Sequence, residues 1–303
     1  MKVVNSAREL PSACAFVPTM GALHAGHGSL FTIASQYSDD VVASIFVNPL
    51  QFENREDLAK YPRTPELDAE VAEKFGVTHL WFPTQEEIYP AGFTQLSAGP
   101  IANLYEGSSR PGHFDGVVTV VRRLFDLVKP KVAIFGEKDF QQLTIIREIA
   151  NEVEIIAAPI IREEDGLAMS SRNVRLDSAG RVAARIISKA LQESSDEGRL
   201  REILATESAF TLDYADYIDE QSFLPPTENT QFKRAIVAGA HTNDYNTEFH
   251  VCHHIGDHSD AGCLDDCARH VDVARIVEHR QPGKGLELRY ELVVTFLEQI
   301  VRH

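Results

Sequence analysis

The chain has 303 residues, 44% of them hydrophobic, and a formal net charge of -16. That length can bury a sizeable core and suits two domains, while so acidic a balance excludes general nucleic-acid binding, which neutralises phosphates with clustered Lys and Arg. No apolar run is long enough to span a bilayer, and Met1 to Leu10 mixes charged with apolar residues, so neither membrane nor signal segment is expected and the cytoplasm is the expected compartment. Cys14 stands alone while Cys252, Cys263 and Cys267 crowd near the end, a placement unlike a disulfide framework.

In chain order, the run from Phe16 breaks at Pro18 and Gly21 and resumes at Ser29 with Leu30, Phe31, Ile33 and Ala34 at helical spacing. This reads as strand, glycine turn and helix. Unpaired N–H groups at such a helix start favour an anion, and His24 and His27, three apart around Gly26, would point the same way on the first turn. The plainer reading is a helix cap with two exposed histidines. Val41 to Val47 is a continuous apolar, β-branched run, the pattern of a strand covered on both faces of a parallel sheet. Asn48 and Gln51 follow it directly and would fall beyond the carboxyl ends of the strands, near His24 and His27, although Asn-Pro is also a turn starter.

Residues 53–75 are charged and, after Tyr61-Pro-Arg-Thr-Pro65, carry a helical pattern in Leu67, Val71 and Phe75; Asp68 on that helix could hold Mg²⁺ by one carboxylate, whereas most such acids are simply solvated. Thr78 to Pro83 reads as the next strand. The Gly- and Ser-containing stretch from Tyr89 into Arg110-Pro-Gly-His-Phe-Asp-Gly116 reads as a loop able to close over a ligand, and Val117 to Val128 as an amphipathic helix. Lys131 to Phe135 is another buried strand, with Lys138 at its end placed to offset phosphate charge. A helix over 140–150 and a strand over Val153 to Ile161 follow. Met169-Ser170-Ser171-Arg172 can grip phosphate oxygens, or Ser170 and Asn173 can cap a helix. Ala179 to Leu191 reads as helix.

Taken together, several motifs resemble the pantothenate synthetase (pantoate–β-alanine ligase) family of His-x-Gly-His nucleotidyltransferases. They are Pro18-Thr-Met-Gly-Ala-Leu-His-x-Gly-His27, Phe46-Val-Asn-Pro-Leu-Gln-Phe52, Tyr61-Pro-Arg-Thr64, Arg110 to Gly116, Gly136-Glu-Lys-Asp139 with Gln141-Gln142, and Asp165 to Asn173. The resemblance implies an α/β protein with a Rossmann-like parallel-sheet domain over 1–161 and a smaller α/β lid domain over 162–239, working as a homodimer. It implies that pantoate, β-alanine and ATP are the substrates, with Mg²⁺, and that pantoyl adenylate and pyrophosphate form before β-alanine displaces AMP. By matching position, Met20, Gly21, Ala22, Leu23, His24, Ala25, Gly26 and His27 would line the ATP site, with His27 as proton donor. Gly136, Glu137, Lys138, Asp139 and Ile161 would contact the nucleotide, and Met169, Ser170, Ser171 and Arg172 would close on the phosphates. Gln51, Gln142, Asn48, Pro18 and Met20 would hold pantoate and β-alanine, and Asp68 would hold Mg²⁺. Two other functions compete with this one: another nucleotidyltransferase of the same signature, and a non-catalytic nucleotide-binding regulator.

After Gly239 the family pattern stops. The segment 240–303 contains Cys252, His253, His254, His258, Cys263, Cys267 and His270, which reads either as a zinc site (Cys252, His254 or His258, Cys263, Cys267) or as a frameshifted tail. Codons for His241 to Asp244 read one nucleotide later can encode Thr-Arg-Met-Ile, close to the family's missing ending. Leu288, Leu292, Val293, Phe296, Leu297 and Ile300 nevertheless keep helical spacing.

Overall fold

The computed structural model describes residues 1–255 apart from 54, 229, 242 and 243, with side chains as far as residue 239. Strands Lys2–Val4 (β1), Ala15–Thr19 (β2), Val41–Ile45 (β3), His79–Trp81 (β4), Val132–Gly136 (β5) and Glu154–Ala158 (β6) form a parallel sheet in the order β1-β4-β3-β2-β5-β6. Helices Ala25–Ala34 (α1), Arg55–Lys60 (α2), Pro65–Lys74 (α3), Gln85–Ile88 (α4), Tyr105–Ser109 (α5), His113–Val128 (α6) and Phe140–Ile149 (α7) connect them.

The central strands are apolar throughout because each face meets a different core. Phe16, Val42, Ala133 and Phe135 point to the side covered by Val117, Val121, Leu124 and Phe125 of α6. Their neighbours Ala15, Val17, Val41, Ala43, Val132 and Ile134 point to the side covered by Phe31 and Ala34 of α1 and Ala72 of α3. Alternation of period two is thus present, but both phases are hydrophobic. Each fully buried Val, Leu or Phe contributes about 1.5–3 kcal/mol of transfer free energy. β2 pairs with β3 on one side, Ala15 opposite Val41, and with β5 on the other, Ala15 opposite Val132. The chain therefore winds outward in both directions from β2, and such a switch point leaves a crevice beyond the strands' carboxyl ends.

A second sheet is antiparallel, with Phe210–Asp219 (β7), Lys233–His241 (β8) and Asp244–Ile255 (β9) in that order. Helices Ser178–Glu193 (α8) and Glu197–Leu204 (α9) start at Asp177 and Asp196, whose side chains accept from the N–H groups of Gly180 and Arg199. Ile187, Ala190, Leu191, Leu200 and Ile203 from these helices pack on Ala215, Ala235 and Val237 as a separate core.

Two expectations change here, and one falls outside the described residues. The helix expected after Tyr61-Pro-Arg-Thr-Pro65 forms as α3, but turned so that Leu67 is 59% exposed while Asp68 is only 2% exposed. The Arg110 to Gly116 segment is not an open loop: α5 precedes it and His113 already begins α6. The zinc-site residues His258, Cys263 and Cys267 and the helical spacing over 286–301 lie outside the described residues, and Cys252 and His254 fall on β9, where side chains are not described.

β9 runs along β8 from Asp244 to Ile255 and covers the edge that β7 leaves open. A chain ending after His241 would present that row of N–H and C=O groups to other molecules. Chain 1–241 is therefore expected to self-associate and to melt below chain 1–255, by roughly 2–4 °C per kcal/mol lost. Equal melting temperatures and monodisperse gel filtration would show that β9 contributes nothing.

Candidate active site

Between β2 and α1 the backbone turns through Gly21 (φ +86°) and Ala22 (φ +51°), both left-handed. Gly21 is required twice over: its φ disfavours a side chain, and a Cβ there would stand 2.9 Å from Asp68 Oδ2. Asp68 reaches in from α3 and accepts from the N–H groups of Ala22 (3.2 Å) and Leu23 (2.8 Å) and from the Thr64 hydroxyl (3.1 Å). The next donors are taken by the histidines themselves. His24 Nδ1 accepts from Gly26 N–H at 3.1 Å, and His27 Nδ1 accepts from His24 N–H at 3.3 Å, a reciprocal cap. Of the helix-start N–H groups expected to receive an anion, those of His24 and Gly26 are thus already used by the cap.

The cap determines the chemistry of both imidazoles. With Nδ1 accepting in each ring, a neutral imidazole must carry its proton on Nε2. Burial pulls the His24 pKa down to about 4, assisted by the Lys138 charge. Burial, then His24, then Lys138 hold His27 well below its ordinary value. The rings lie 4.2 Å apart and line the crevice as two neutral N–H donors.

Asn48 and Gln51 divide their labour. Asn48 is buried; its Nδ2 donates to Gln51 Oε1 (2.8 Å) and to the Gly116 carbonyl (3.0 Å), and its Oδ1 accepts from the Tyr89 hydroxyl (2.6 Å). Asn48 does not line the crevice, so the expected ligand contact is replaced by a positioning role. Gln51 does line it, and with Oε1 held by Asn48 its Nε2 is the end of the amide turned to a ligand. Behind Gln51, its carbonyl accepts from Arg110 and from His113 Nδ1 (2.9 Å). His113 thus carries its proton on Nδ1, the opposite tautomer to His24.

The crevice itself, about 280 Å³, opens at the switch point. Of the expected residues it gathers Pro18, Met20, His24, Gly26, His27, Gln51, Gly136, Lys138, Asp139, Gln142, Ile161, Met169, Ser170, Ser171 and Arg172. Gly21, Ala22, Leu23, Ala25, Asn48, Glu137 and Asp68 stand behind it. A Cβ on Gly26 would be 3.3 Å from Met169 Cβ, so the 169–172 segment seats directly on the first turn of α1. Lys138 Nζ pairs with Asp139 at 3.0 Å, and the Tyr61 hydroxyl bonds Ser171 across the crevice. Asp68, expected to hold Mg²⁺ by one carboxylate, spends both oxygens on backbone N–H donors, and no cluster of three or more His, Cys, Asp or Glu able to hold a metal exists among the described residues. The wall also contains Tyr61, Glu106, Arg110 and His113, which the motifs leave without an assigned role. Arg110 lies in the turn before α6, so no helical spacing signals the pair; its Nη1 stands 3.3 Å from His113 Nε2 because the left-handed Gly112 folds the chain back into the helix.

Protonation supplies a test. Because the folded pKa of His24 and of His113 is about 4 against 6.5 unperturbed, the unfolded chain binds more protons as pH falls from 6.5 towards 4. Unfolding free energy is expected to be fully present above pH 6.5 and to decline through that window. Imidazole ¹⁵N spectra at pH 5.5 should show His24 neutral with the proton on Nε2 and His113 neutral with the proton on Nδ1; an imidazolium pattern for either would contradict the geometry.

Comparison with known proteins gives the family. The family described as pantoate-beta-alanine ligase matches residues 1–246. A pantothenate synthetase of Stenotrophomonas maltophilia (strain K279a) is 48% identical over 213 residues, covering 67% of this chain and 76% of the relative. One of Chlorobium chlorochromatii (strain CaD3) is 46% identical over 239 residues, 73% of this chain and 82% of the relative. The crystal structure of pantothenate synthetase from Thermus thermophilus superposes with a TM-score of 0.78 at 39% identity, over 85% of this chain and all (100%) of that one. The Francisella tularensis ligase complexed with beta-gamma ATP and beta-alanine superposes at 0.71 with 32% identity, over 84% of this chain and 97% of that one. With that family's model matching residues 1–246, this chain belongs to the pantoate–β-alanine ligase family.

Proposed function

We propose that the crevice carries the family's reaction in this chain, the ATP-dependent condensation of pantoate with β-alanine. The observation that carries this reading is convergence: His24, His27, Gln51, Lys138, Gln142 and Arg172, drawn from four separate stretches, line one cavity at the sheet's switch point. In the first step a carboxylate oxygen of pantoate bonds to the α-phosphorus and pyrophosphate leaves. The nucleophile is already ionised, so the site must align two anions and cover developing charge rather than supply a strong base. Lys138 and Arg172 provide cationic cover, Ser170 and Ser171 donate to phosphate oxygens, and the two imidazoles donate through Nε2–H. His27, expected as a proton donor, acts as a neutral hydrogen-bond donor because burial opposes its imidazolium.

Gln51 Nε2 and Gln142 orient pantoate, with Pro18 and Met20 against its apolar part. The nucleotide lies along Gly136 to Asp139 and Ile161, under Met169 to Arg172. In the second step the β-alanine amine, entering near Gln51, bonds to the acyl carbon, the acyl–phosphate C–O bond breaks, and AMP and the amine's proton depart. Mg²⁺ arrives with the triphosphate, in keeping with the ion's preference for substrate phosphates. The reading includes a boundary near residue 161 between a substrate-binding domain and a smaller lid, and a homodimer working in the cytoplasm. Half-exposed Ile155 and Ile156 on the outer strand β6 support a dimer, and no described helix is long and apolar enough to cross a membrane.

The purified chain is expected to form pantothenate from pantoate, β-alanine and MgATP, and to exchange pyrophosphate into ATP only when pantoate is present. Lys138→Ala should lower that exchange by about 10²–10³-fold. Exchange without pantoate would indicate a different nucleotidyltransferase, and nucleotide binding without turnover a regulator. A second variant probes the Gln51 turn: a Cβ on Gly116 would lie 2.3 Å from the Leu50 carbonyl oxygen. Gly116→Ala should therefore shift residues 48–51 and raise the KM for pantoate by about 10-fold or more, since misplacement near 1 Å costs on the order of 10²-fold. An unchanged KM in a folded variant would show that the close packing of α6 does not place Gln51.

A further inference from the structure

Arg234 lies on β8 of the second sheet, is 4% exposed, and directs its guanidinium out of that sheet's core. Its Nε donates to Glu220 Oε1 at 2.9 Å, an Nη stands 3.8 Å from Glu137 Oε1, and its Cζ lies 3.8 Å over the ring of Phe140. Phe223, also from the second unit, stacks on Phe140 at 5.6 Å. Glu137 and Phe140 flank Lys138, so the second unit grips the chain on both sides of the crevice lysine.

The turn between them is held locally by the Lys138–Asp139 pair and by Gly136 in register with Ala158, but its helix starts are uncapped by side chains. Neither the short 3-10 helix Glu137–Asp139 nor α7 has a side-chain hydrogen bond at its cap, and nothing lies within 4 Å of a Cβ built on Gly136. An arginine suits the task because its planar fork can face two carboxylates while its flat side covers a ring; an ammonium on a flexible stem can do only one of these at a time. A buried guanidinium between two acids also resists displacement, because removing one partner leaves an uncompensated charge.

We infer that Arg234 is a positioning residue for adenylate formation: by holding Glu137 and Phe140 it sets where the Lys138 ammonium meets the phosphates. The inference rests on the role given to Lys138 above, and it makes the second unit part of the catalytic geometry of the first. A structural brace and a positioning residue predict different couplings, because a residue acting through Lys138 has nothing to act on once that ammonium is gone.

The test measures pantoate-dependent ATP–pyrophosphate exchange for Arg234→Gln, Arg234→Lys and Glu137→Gln, each in the native and Lys138→Ala backgrounds, well below their melting temperatures. Arg234→Gln should lower kcat about 10- to 100-fold with the KM for pantoate little changed, Arg234→Lys should recover only part of the loss, and Glu137→Gln should fall in the same direction. In the Lys138→Ala background each should add less than about 2-fold. Losses that multiply in the double variants, or a lowered melting temperature with normal exchange, overturn the inference. If Arg234→Gln does not fold, Glu137→Gln in the two backgrounds decides by the same criterion. Absence of exchange by the native chain would overturn the functional reading itself, whereas a loss in Lys138→Ala not shared by Arg234→Gln or Glu137→Gln would overturn this inference alone.

Discussion

A helix must begin with N–H groups that have no partner in the helix, and here two site side chains satisfy them: His27 takes the donor of His24, and His24 takes that of Gly26, while Asp68 holds the N–H groups of Ala22 and Leu23 in the turn just before the helix. Each of these bonds contributes only about 1 kcal/mol net, but leaving a buried donor unmet costs about 1–3 kcal/mol. The asymmetry therefore fixes the imidazoles in rotamer and tautomer before any ligand arrives. Burial keeps them neutral, and the nearby Lys138 charge acts in the same direction. Two donors that need not reorient are thus presented to a charged reactant, which is how electrostatic preorganisation lowers a barrier.

The cations follow a different logic. Lys138 pairs with Asp139, side chains 22% and 47% exposed, and Arg110 pairs with the more enclosed Glu106. An exposed pair of the first kind is worth about 0–1 kcal/mol, so a phosphate can take the ammonium from Asp139 at small cost. The Arg110–Glu106 pair, bound to Gln51 and beside His113, is far less free to exchange and serves to hold the wall. Charge that must move and charge that must stay are separated by depth in the crevice. Arg172 lines the same crevice from the segment after β6, where a guanidinium can close on a ligand's phosphates.

How much of this was legible depended on whether local pattern or tertiary demand decided a residue's place. The strands 15–19, 41–45 and 132–136 could be read because both faces of a parallel sheet are buried, so every position is apolar. The face of α3 could not: periodicity puts Leu67 inward, yet the helix is rotated so that Asp68 reaches the 22–23 backbone, a requirement set by a segment more than forty residues away. Asn48 is a similar case. Its residue type and position suit a ligand, but the Gly116 carbonyl and the Tyr89 hydroxyl, both remote in sequence, claim its amide. The start of α6 is hidden because Gly112 at φ +79° and the preceding proline look like loop, whereas they deliver the chain into the helix at His113. Motif order survives these errors, since it depends on what the site contacts and not on which neighbour holds each residue.

The end of the family match also has a physical reading. The match stops at residue 246, inside β9, which begins at Asp244 and continues to Ile255 in register with β8. Antiparallel pairing is made by main-chain groups, and side chains mainly select among alternatives. A segment whose sequence has left the family pattern can therefore still complete the sheet, provided β8 offers an ordered edge. That edge is ordered from the other side, by β7 and by the core of Ile187, Ala190 and Leu200 beneath Ala235 and Val237. Arg234 lies on the same strand opposite His254 of β9, and β9 itself passes beside Glu137–Asp139, so the departure in sequence adjoins the contacts through which the second sheet reaches the lysine turn.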